Sequence, residues 1–203
     1  MVSIRPTWRA APPPSLLSDL LDQSLGTDRT RKPSYRLREA VPPIDEFAVS
    51  GWAGDQLIAS TQFWPIELRC DRGGFIDLRV LLFGPLAVHP AYQACGLGFQ
   101  TTNRALALAE RAKVDLVILV GEPGYYERFG FSNVVTQAWH LAGLDRQDKL
   151  MARAITAKAK HALPICAEIR KPSLRNKVGT IVPRATSIAP AIRQEEPARR
   201  LRG

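Results

Sequence analysis

A six-residue segment with two glycines could bind an anion through its main-chain amides. It comprises Gln93, Ala94, Cys95, Gly96, Leu97 and Gly98, between a predicted strand and the longest predicted helix. Glycine lets the backbone turn tightly and approach a ligand, and successive N–H groups can converge on an anion. The first turn of a helix adds unpaired N–H groups and the positive end of its dipole. The segment therefore predicts a pyrophosphate site, with an ordinary loop-to-helix turn as the alternative for the glycine pair alone.

Two common nucleotide-binding loops do not fit this segment. No Gly-Lys-Ser/Thr follows it, which excludes a Walker A loop. Thr101 stands where a dinucleotide-binding fingerprint would place its third glycine.

Apolar spacing predicts the elements that must position this segment. The predicted helices cover residues 15–21 with Ser15 as the cap, 34–40, 97–113, 123–128 and 146–160. The predicted strands cover residues 2–8, 47–49, 57–64, 75–88 with an interruption at Gly84-Pro85, 115–120 and 163–169, with turns at 51–55 and 71–74. The strands 47–49 and 57–64 are predicted to form an antiparallel hairpin.

Composition favours one soluble domain with a charged end. The chain has 203 residues and a net charge of +9. Residues 1–147 hold 15 basic and 15 acidic side chains, whereas residues 148–203 hold 13 and 4. We expect a domain over residues 1–170 and a basic, disordered tail over 171–203. A basic tail can attract nucleic acid, but the chain has no aromatic residue after Trp139 to stack on bases.

The cysteines and the N-terminus indicate the compartment. The three cysteines are odd in number and no two form a Cys-X-X-Cys pair, which argues against a disulfide framework and a zinc site. No signal peptide and no run of about 18 apolar residues is evident. The sequence predicts a cytoplasmic protein with no metal and no membrane partner.

Two motifs resemble a known family. Residues 85–98, Pro-Leu-Ala-Val-His-Pro-Ala-Tyr-Gln-Ala-Cys-Gly-Leu-Gly, look like motif A of the GNAT N-acetyltransferases, whose kernel is Arg/Gln-X-X-Gly-X-Gly/Ala. Residues 125–131, Tyr-Tyr-Glu-Arg-Phe-Gly-Phe, look like the end of its motif B. The pair of motifs is much more specific than either alone, and its residues most resemble those of the YhbS-like subgroup. The resemblance covers roughly residues 3–170 and is strong over 76–131.

The resemblance implies an α/β (α+β) fold, in which helices flank a central mixed sheet with two splayed strands. In this family the pantetheine of acetyl-CoA lies in the splay and pairs with a strand backbone, which here would be that of Leu86, Ala87 and Val88. The pyrophosphate would lie over residues 93–98. Tyr126 matches the position that commonly protonates the departing thiolate, and a phenol with a pKa of about 10 is protonated at neutral pH. Local packing is the alternative role for Tyr126.

The family pattern is incomplete in two places. Relatives that use a glutamate base carry it on the strand that here reads Val-Leu-Leu-Phe, residues 80–83, without a carboxylate. Asp77 and Glu122 are the nearest acids, and His89 is expected to be a bystander. Cys95 stands where many relatives carry Arg or Lys, which predicts weaker cofactor affinity.

The resemblance thus implies an N-acetyltransferase that uses acetyl-CoA and an amine acceptor of unknown identity. Trp52, Phe63 and Trp64 could line an acceptor pocket or simply pack in the core. A catalytically weak acyl-CoA sensor and an RNA- or ribosome-associated protein anchored by the tail remain alternatives. Relatives are often homodimers, so a homodimer is also considered.

Overall fold

The computed structural model describes residues 5–70 and 76–172. Its helices are α1 (Pro14–Leu25), α2 (Pro33–Arg36), α3 (Leu97–Arg111), α4 (Pro123–Tyr126) and α5 (Ala157–Ala162). Its strands are β1 (Thr7–Arg9), β2 (Val49–Ala53), β3 (Gln56–Thr61), β4 (Phe63–Arg69), β5 (Val80–Phe83), β6 (Ala87–Val88), β7 (Leu116–Val120), β8 (Trp139–His140), β9 (Leu150–Ala154) and β10 (Ala167–Arg170). The predicted turn at 71–74 and all but two residues of the predicted tail lie outside the described residues.

The strands form two hydrogen-bonded sheets. A four-stranded sheet has the order β1-β2-β3-β6, and a six-stranded mixed sheet has the order β8-β10-β4-β5-β7-β9. β5 and β7 pair in parallel, with α3 in the connection between them, while β4 and β9 are antiparallel to their neighbours. The chain passes between the sheets at Gln62, from β3 to β4, and again at Gly84-Pro85, from β5 to β6.

Both faces of the six-stranded sheet are buried. Leu82 and Ile118 point to the face that contacts Leu37 at the end of α2, which we call the α2 face. Leu81 and Val117 point to the face that packs against Ala105 of α3, which we call the α3 face. A strand covered on both sides needs apolar residues at every position. This explains the unbroken apolar runs of β5 and β7.

Several sequence predictions are confirmed. A hairpin forms as predicted, but β2 extends through most of the predicted turn 51–55 and the chain reverses at Gly54. α3 begins at Leu97 as expected, and β7 lies within the predicted 115–120. The predicted strand 75–88 is indeed interrupted at Gly84-Pro85, whose peptide bond is cis. The interruption is complete, since β5 and β6 belong to different sheets.

The predicted helix at 146–160 is wrong. Those residues form a short 3-10 turn, then β9, then α5. Alanine, methionine and arginine favour a helix by propensity, but the free edge of β7 offers a full antiparallel ladder to Leu150–Ala154. Leu150 and Met151 alternate between the two faces of the sheet. Burial on both sides overrides the local preference.

The N-terminal details also differ from the prediction. Ser15 does not cap α1, because the helix begins at Pro14 and its N-cap is Pro13, which has no side-chain acceptor. Phe47 lies in a 3-10 turn rather than a strand. The predicted strand 57–64 divides at Gln62, where the chain changes sheets. In the described part of the chain, no helix is long and apolar enough to cross a membrane.

Candidate functional site

The strands β5 and β6 diverge at Gly84, and this divergence organises the site. The Gly84 N–H donates to the Gln62 carbonyl over 2.9 Å, which joins the two points where the chain changes sheets. The Gly84 carbonyl accepts from Trp64 Nε1, also over 2.9 Å. The backbone at the divergence is therefore held from β4 and from the β3–β4 connection. The chain then enters β6, which pairs with β3, and the main-chain groups of Val88 form the edge that faces away from β3.

Two side chains form hydrogen bonds with the main-chain groups on that edge. The Val88 N–H donates to Ser24 Oγ over 3.2 Å, and the Val88 carbonyl accepts from Gln93 Nε2 over 3.2 Å. The neighbouring residue His89 donates its N–H to Ile58 of β3 instead. Val88 thus presents one donor and one acceptor to the splay, each satisfied by a polar side chain. An extended amide ligand could replace both partners without disturbing the β3–β6 ladder.

The predicted anion-binding segment forms a left-handed bend before α3. Ala94 has φ 60° and Gly96 has φ 76°, and a non-glycine residue in this region is uncommon. Gly96 is the N-cap of α3, and no side chain caps the helix. The amides of Leu97, Gly98 and Phe99 donate to no acceptor within the described chain. They form the helix N-terminus to which an anion would bind.

Gly98 is needed because a tyrosine lies against it. A Cβ at Gly98 would stand 2.7 Å from the Tyr125 hydroxyl and 3.7 Å from Val88 Cγ2. The first turn of α3, the edge of β6 and α4 therefore meet at this glycine. Burial raises the pKa of Tyr125, against the opposing effects of Thr102 and Arg128. Tyr125 is thus a neutral residue that packs against the first turn of α3.

Tyr126, the last residue of α4, lies beside the end of β5, where the strands diverge. Its ring centroid is 6.2 Å from that of Phe83, the last residue of β5, and 6.0 Å from that of Phe131. A Cβ on Gly121 would overlap the Tyr126 ring, so the glycine at the end of β7 makes room for it. Burial raises the pKa of Tyr126 well above its ordinary value, and neighbouring Tyr125 adds to the effect. The phenol therefore stays protonated throughout the physiological range.

The candidate bases lie elsewhere or are already paired. Glu122 forms an ion pair with Lys149 at 2.5 Å. Asp77 pairs with Lys158 at 2.9 Å and precedes β5, so it stands at the opposite end of that strand from Tyr126. All four residues of β5 are buried and apolar. His89 Nδ1 accepts the Ala91 N–H, which caps the 3-10 turn at Pro90–Tyr92. This bond supports the bystander role predicted for His89.

The aromatic residues predicted as a pocket do not act together. Phe63 is fully buried on the α3 face, and Trp52 is buried beneath α1 with its Nε1 donating to Ser50 Oγ. Only Trp64 reaches the splay, through its hydrogen bond to Gly84. Cys95 is exposed. The sequence gives no indication of the role of Ser24, because a polar residue near the end of an amphipathic helix carries no distinctive signal.

A separate cleft of about 550 Å³ lies beside α2, lined among others by Arg36, Leu37, Leu141, Ile169 and Arg170. It contains none of the predicted site residues, so the two regions are distinct. Among residues 5–70 and 76–172, no three metal-ligating side chains cluster.

Comparison with solved structures identifies the fold. The chain superposes on a GNAT family N-acetyltransferase, YhbS from Escherichia coli, in complex with CoA, with a TM-score of 0.63 and 22% identity, covering 83% of this chain and 91% of that one. It also superposes on a GNAT family acetyltransferase from Brucella melitensis in complex with acetyl-CoA, with a TM-score of 0.58 and 17% identity, covering 83% and 97%. No protein-family description and no curated protein matches the chain. The chain therefore has the GNAT fold that its motifs predicted.

The burial of Tyr126 leads to a spectroscopic prediction. Because burial raises the pKa of this phenol, native protein and the Tyr126→Phe variant should develop the same tyrosinate absorbance up to about pH 11. The measurement is an alkaline titration at the tyrosinate band, with circular dichroism used to confirm that the fold persists. A Tyr126→Phe variant that loses one tyrosine's absorbance change near pH 10 would contradict the assignment.

Proposed function

We propose that this chain is a GNAT-type N-acyltransferase that moves an acetyl group from acetyl-CoA to an amine. One observation carries the proposal: the open amides of α3, the edge of β6 and the protonated Tyr126 converge at a single splay between strands. An anion-binding helix terminus alone would fit many ligands. The neighbouring strand edge, which offers one donor and one acceptor, fits the amides of a pantetheine arm.

The proposed binding mode follows the main chain. The diphosphate of acetyl-CoA would accept hydrogen bonds from residues 94–98, and the pantetheine would pair with Val88 in place of Ser24 and Gln93. Leu86 and Ala87 would line the path to the thioester. Because these contacts use backbone groups, they tolerate Cys95 at a position where relatives carry a cation.

The proposed reaction uses the phenol as an acid. A neutral amine attacks the thioester carbonyl, so a C–N bond forms and the C–S bond breaks. The thiolate leaves with the proton of Tyr126, and the proton lost by the amine returns the phenol to its neutral state through solvent. β5 carries no carboxylate, and Glu122 and Asp77 are each paired with a lysine, so in this proposal the acceptor arrives already deprotonated. The reaction rate should therefore rise with pH as the acceptor loses its proton.

Replacing each of the two neighbouring tyrosines by phenylalanine tests whether Tyr126 is the general acid. Tyr126→Phe should lower kcat by about 100-fold or more, since general acid catalysis contributes roughly 10²–10⁴, and should leave the Kd for acetyl-CoA unchanged. Tyr125→Phe should change kcat by less than about threefold. The measurement is thiol release from acetyl-CoA with a broad panel of amines. Equal losses in both variants would contradict the role of Tyr126, and tight binding without turnover on any amine would favour the sensor alternative.

Substitutions at two glycines test whether the first turn of α3 binds the diphosphate. Gly98→Ala should raise the Kd for CoA at least about tenfold, because the new methyl group collides with the Tyr125 hydroxyl at the first turn of α3. Gly124→Ala is the matched control, since its Cβ would meet no atom within 4 Å. The measurement is calorimetric titration with CoA. If the Gly98→Ala protein is stable and binds CoA with unchanged affinity, the first turn of α3 is not the diphosphate site.

Ser24 tests the strand edge. Ser24→Ala frees the Val88 N–H, so CoA no longer competes with the serine hydroxyl. One neutral hydrogen bond is worth about 0.5–1.5 kcal/mol, which predicts a Kd lower by a few-fold. Ser15→Ala, an exposed position on the same helix, should have no effect. If Ser24→Ala binds CoA no more tightly than the native protein, pantetheine does not use this amide.

A further inference from the structure

A buried arginine lies beside the splay. Arg38 is in the turn that follows α2, with 9% of its surface exposed. Its guanidinium carbon is 4.4 Å from the ring centroid of Tyr35 and 5.8 Å from that of Trp64. The two rings hold the cation at a fixed place, since guanidinium groups stack favourably on aromatic faces.

This cation has no anionic partner in the described part of the chain. Arg38 takes part in none of the ion pairs of the described chain. Its Nε and Nη1, and the buried hydroxyl of Tyr35, donate to no described acceptor. Burying an unpaired charge is costly, and buried donors without partners are rare in folded proteins. The arrangement is expected where a ligand completes it.

The pKa of Arg38 agrees with its buried position. Burial lowers the pKa of Arg38 to about 10, against an opposing effect of Tyr35. Arg38 therefore remains a cation at neutral pH, and no carboxylate among the described residues pairs with it. The nearby Arg29 differs, because its Nε donates to Asp22 over 2.9 Å. A single uncompensated positive charge remains beside the splay.

Arg38 stands across the sheet from the proposed acid. Its Nη2 is 3.8 Å from the place of a Cβ on Gly84, the residue at which β5 and β6 diverge. Its neighbours Leu37 and Trp64 pack on the α2 face, whereas Tyr126 and α3 pack on the α3 face. A thioester lodged in the splay would have Tyr126 on one side and Arg38 on the other. In this arrangement the group bound by Arg38 would lie on the α2 side of the splay.

We propose that Arg38 binds a carboxylate of the acceptor, so that the substrates are small amines that carry a carboxylate group, such as amino acids. This inference rests on the proposed acyltransferase function. One uncompensated cation matches the single negative charge of a carboxylate, and the planar guanidinium matches its two oxygens. Bound this way, the acceptor has its anionic end fixed near Gly84 and its amine free to reach the thioester.

Matched acceptor pairs test the inference. Each pair contains an amino acid and its carboxamide, for example glycine and glycinamide or phenylalanine and phenylalaninamide. Thiol release from acetyl-CoA gives kcat/KM for both members with native protein, Arg38→Met and Arg38→Lys. Comparing the acid-to-amide ratio between proteins cancels the different basicity of the two amines. Arg36→Met is the control, an exposed arginine on α2.

The expected result is a selective loss. Arg38→Met should lower kcat/KM for the acids by about tenfold to a hundredfold, the usual range for a charge-assisted hydrogen bond. It should alter kcat/KM for the amides by less than about threefold, with the Kd for CoA unchanged. For Arg38→Lys, kcat/KM for the acids should lie between those of native protein and Arg38→Met, because lysine keeps the charge but not the planar guanidinium group. Arg36→Met should leave all ratios as in the native protein.

Other outcomes would overturn the inference. If the acid-to-amide ratio is the same in Arg38→Met as in native protein, Arg38 only supports packing, while the acyltransferase function stands. If the variant instead discriminates against succinyl-CoA relative to acetyl-CoA, the bound carboxylate belongs to the donor. If only phosphoethanolamine, compared with ethanolamine, depends on Arg38, the ligand group is a phosphate. If no amine of any series releases thiol, the proposed function fails together with the inference.

Discussion

The divergence of β5 and β6 at Gly84 is the constraint on which the site depends. Two strands that follow one another in the chain join different sheets, so the edge of β6 cannot pair with β5. The exposed main-chain groups of Val88 must find partners, because unpaired backbone groups are costly. Ser24 and Gln93 supply them in this structure. A gap lined by exchangeable hydrogen bonds is well suited to a ligand that brings its own amides.

The rest of the molecule keeps this gap open. The backbone at Gly84 is tied to Gln62 and to Trp64, and aromatic rings from Phe83, Tyr126 and Phe131 fill the far side. The parallel β5–β7 pair is buried on both faces and supports these contacts rigidly. Two groups that the protein leaves incomplete, the amides of α3 and the cation of Arg38, lie at opposite sides of the opening. Both are features that a bound ligand would complete.

The sequence predicts the centre of this arrangement well and its surroundings poorly. The segments around α3 and β7 carry strong local signals, a helical apolar stripe and a doubly buried strand, and the structure confirms both. The helix predicted at 146–160 failed because pairing with β7 outweighs helix propensity. Ser24 and Arg38 could not be found from sequence, since their importance arises from contacts with residues distant in the chain. Neither a serine near a helix end nor an arginine beside Leu37 differs in pattern from a surface residue.

We propose that main-chain amides at the splay bind acetyl-CoA. The most direct test of this proposal is amide NMR of ¹⁵N-labelled protein during titration with CoA. We expect large, saturable shifts for the amides of Gly96, Leu97, Gly98 and Val88, with small changes at the distant β1 and β10 strands. Saturable binding that leaves these four amides unshifted would contradict the proposal.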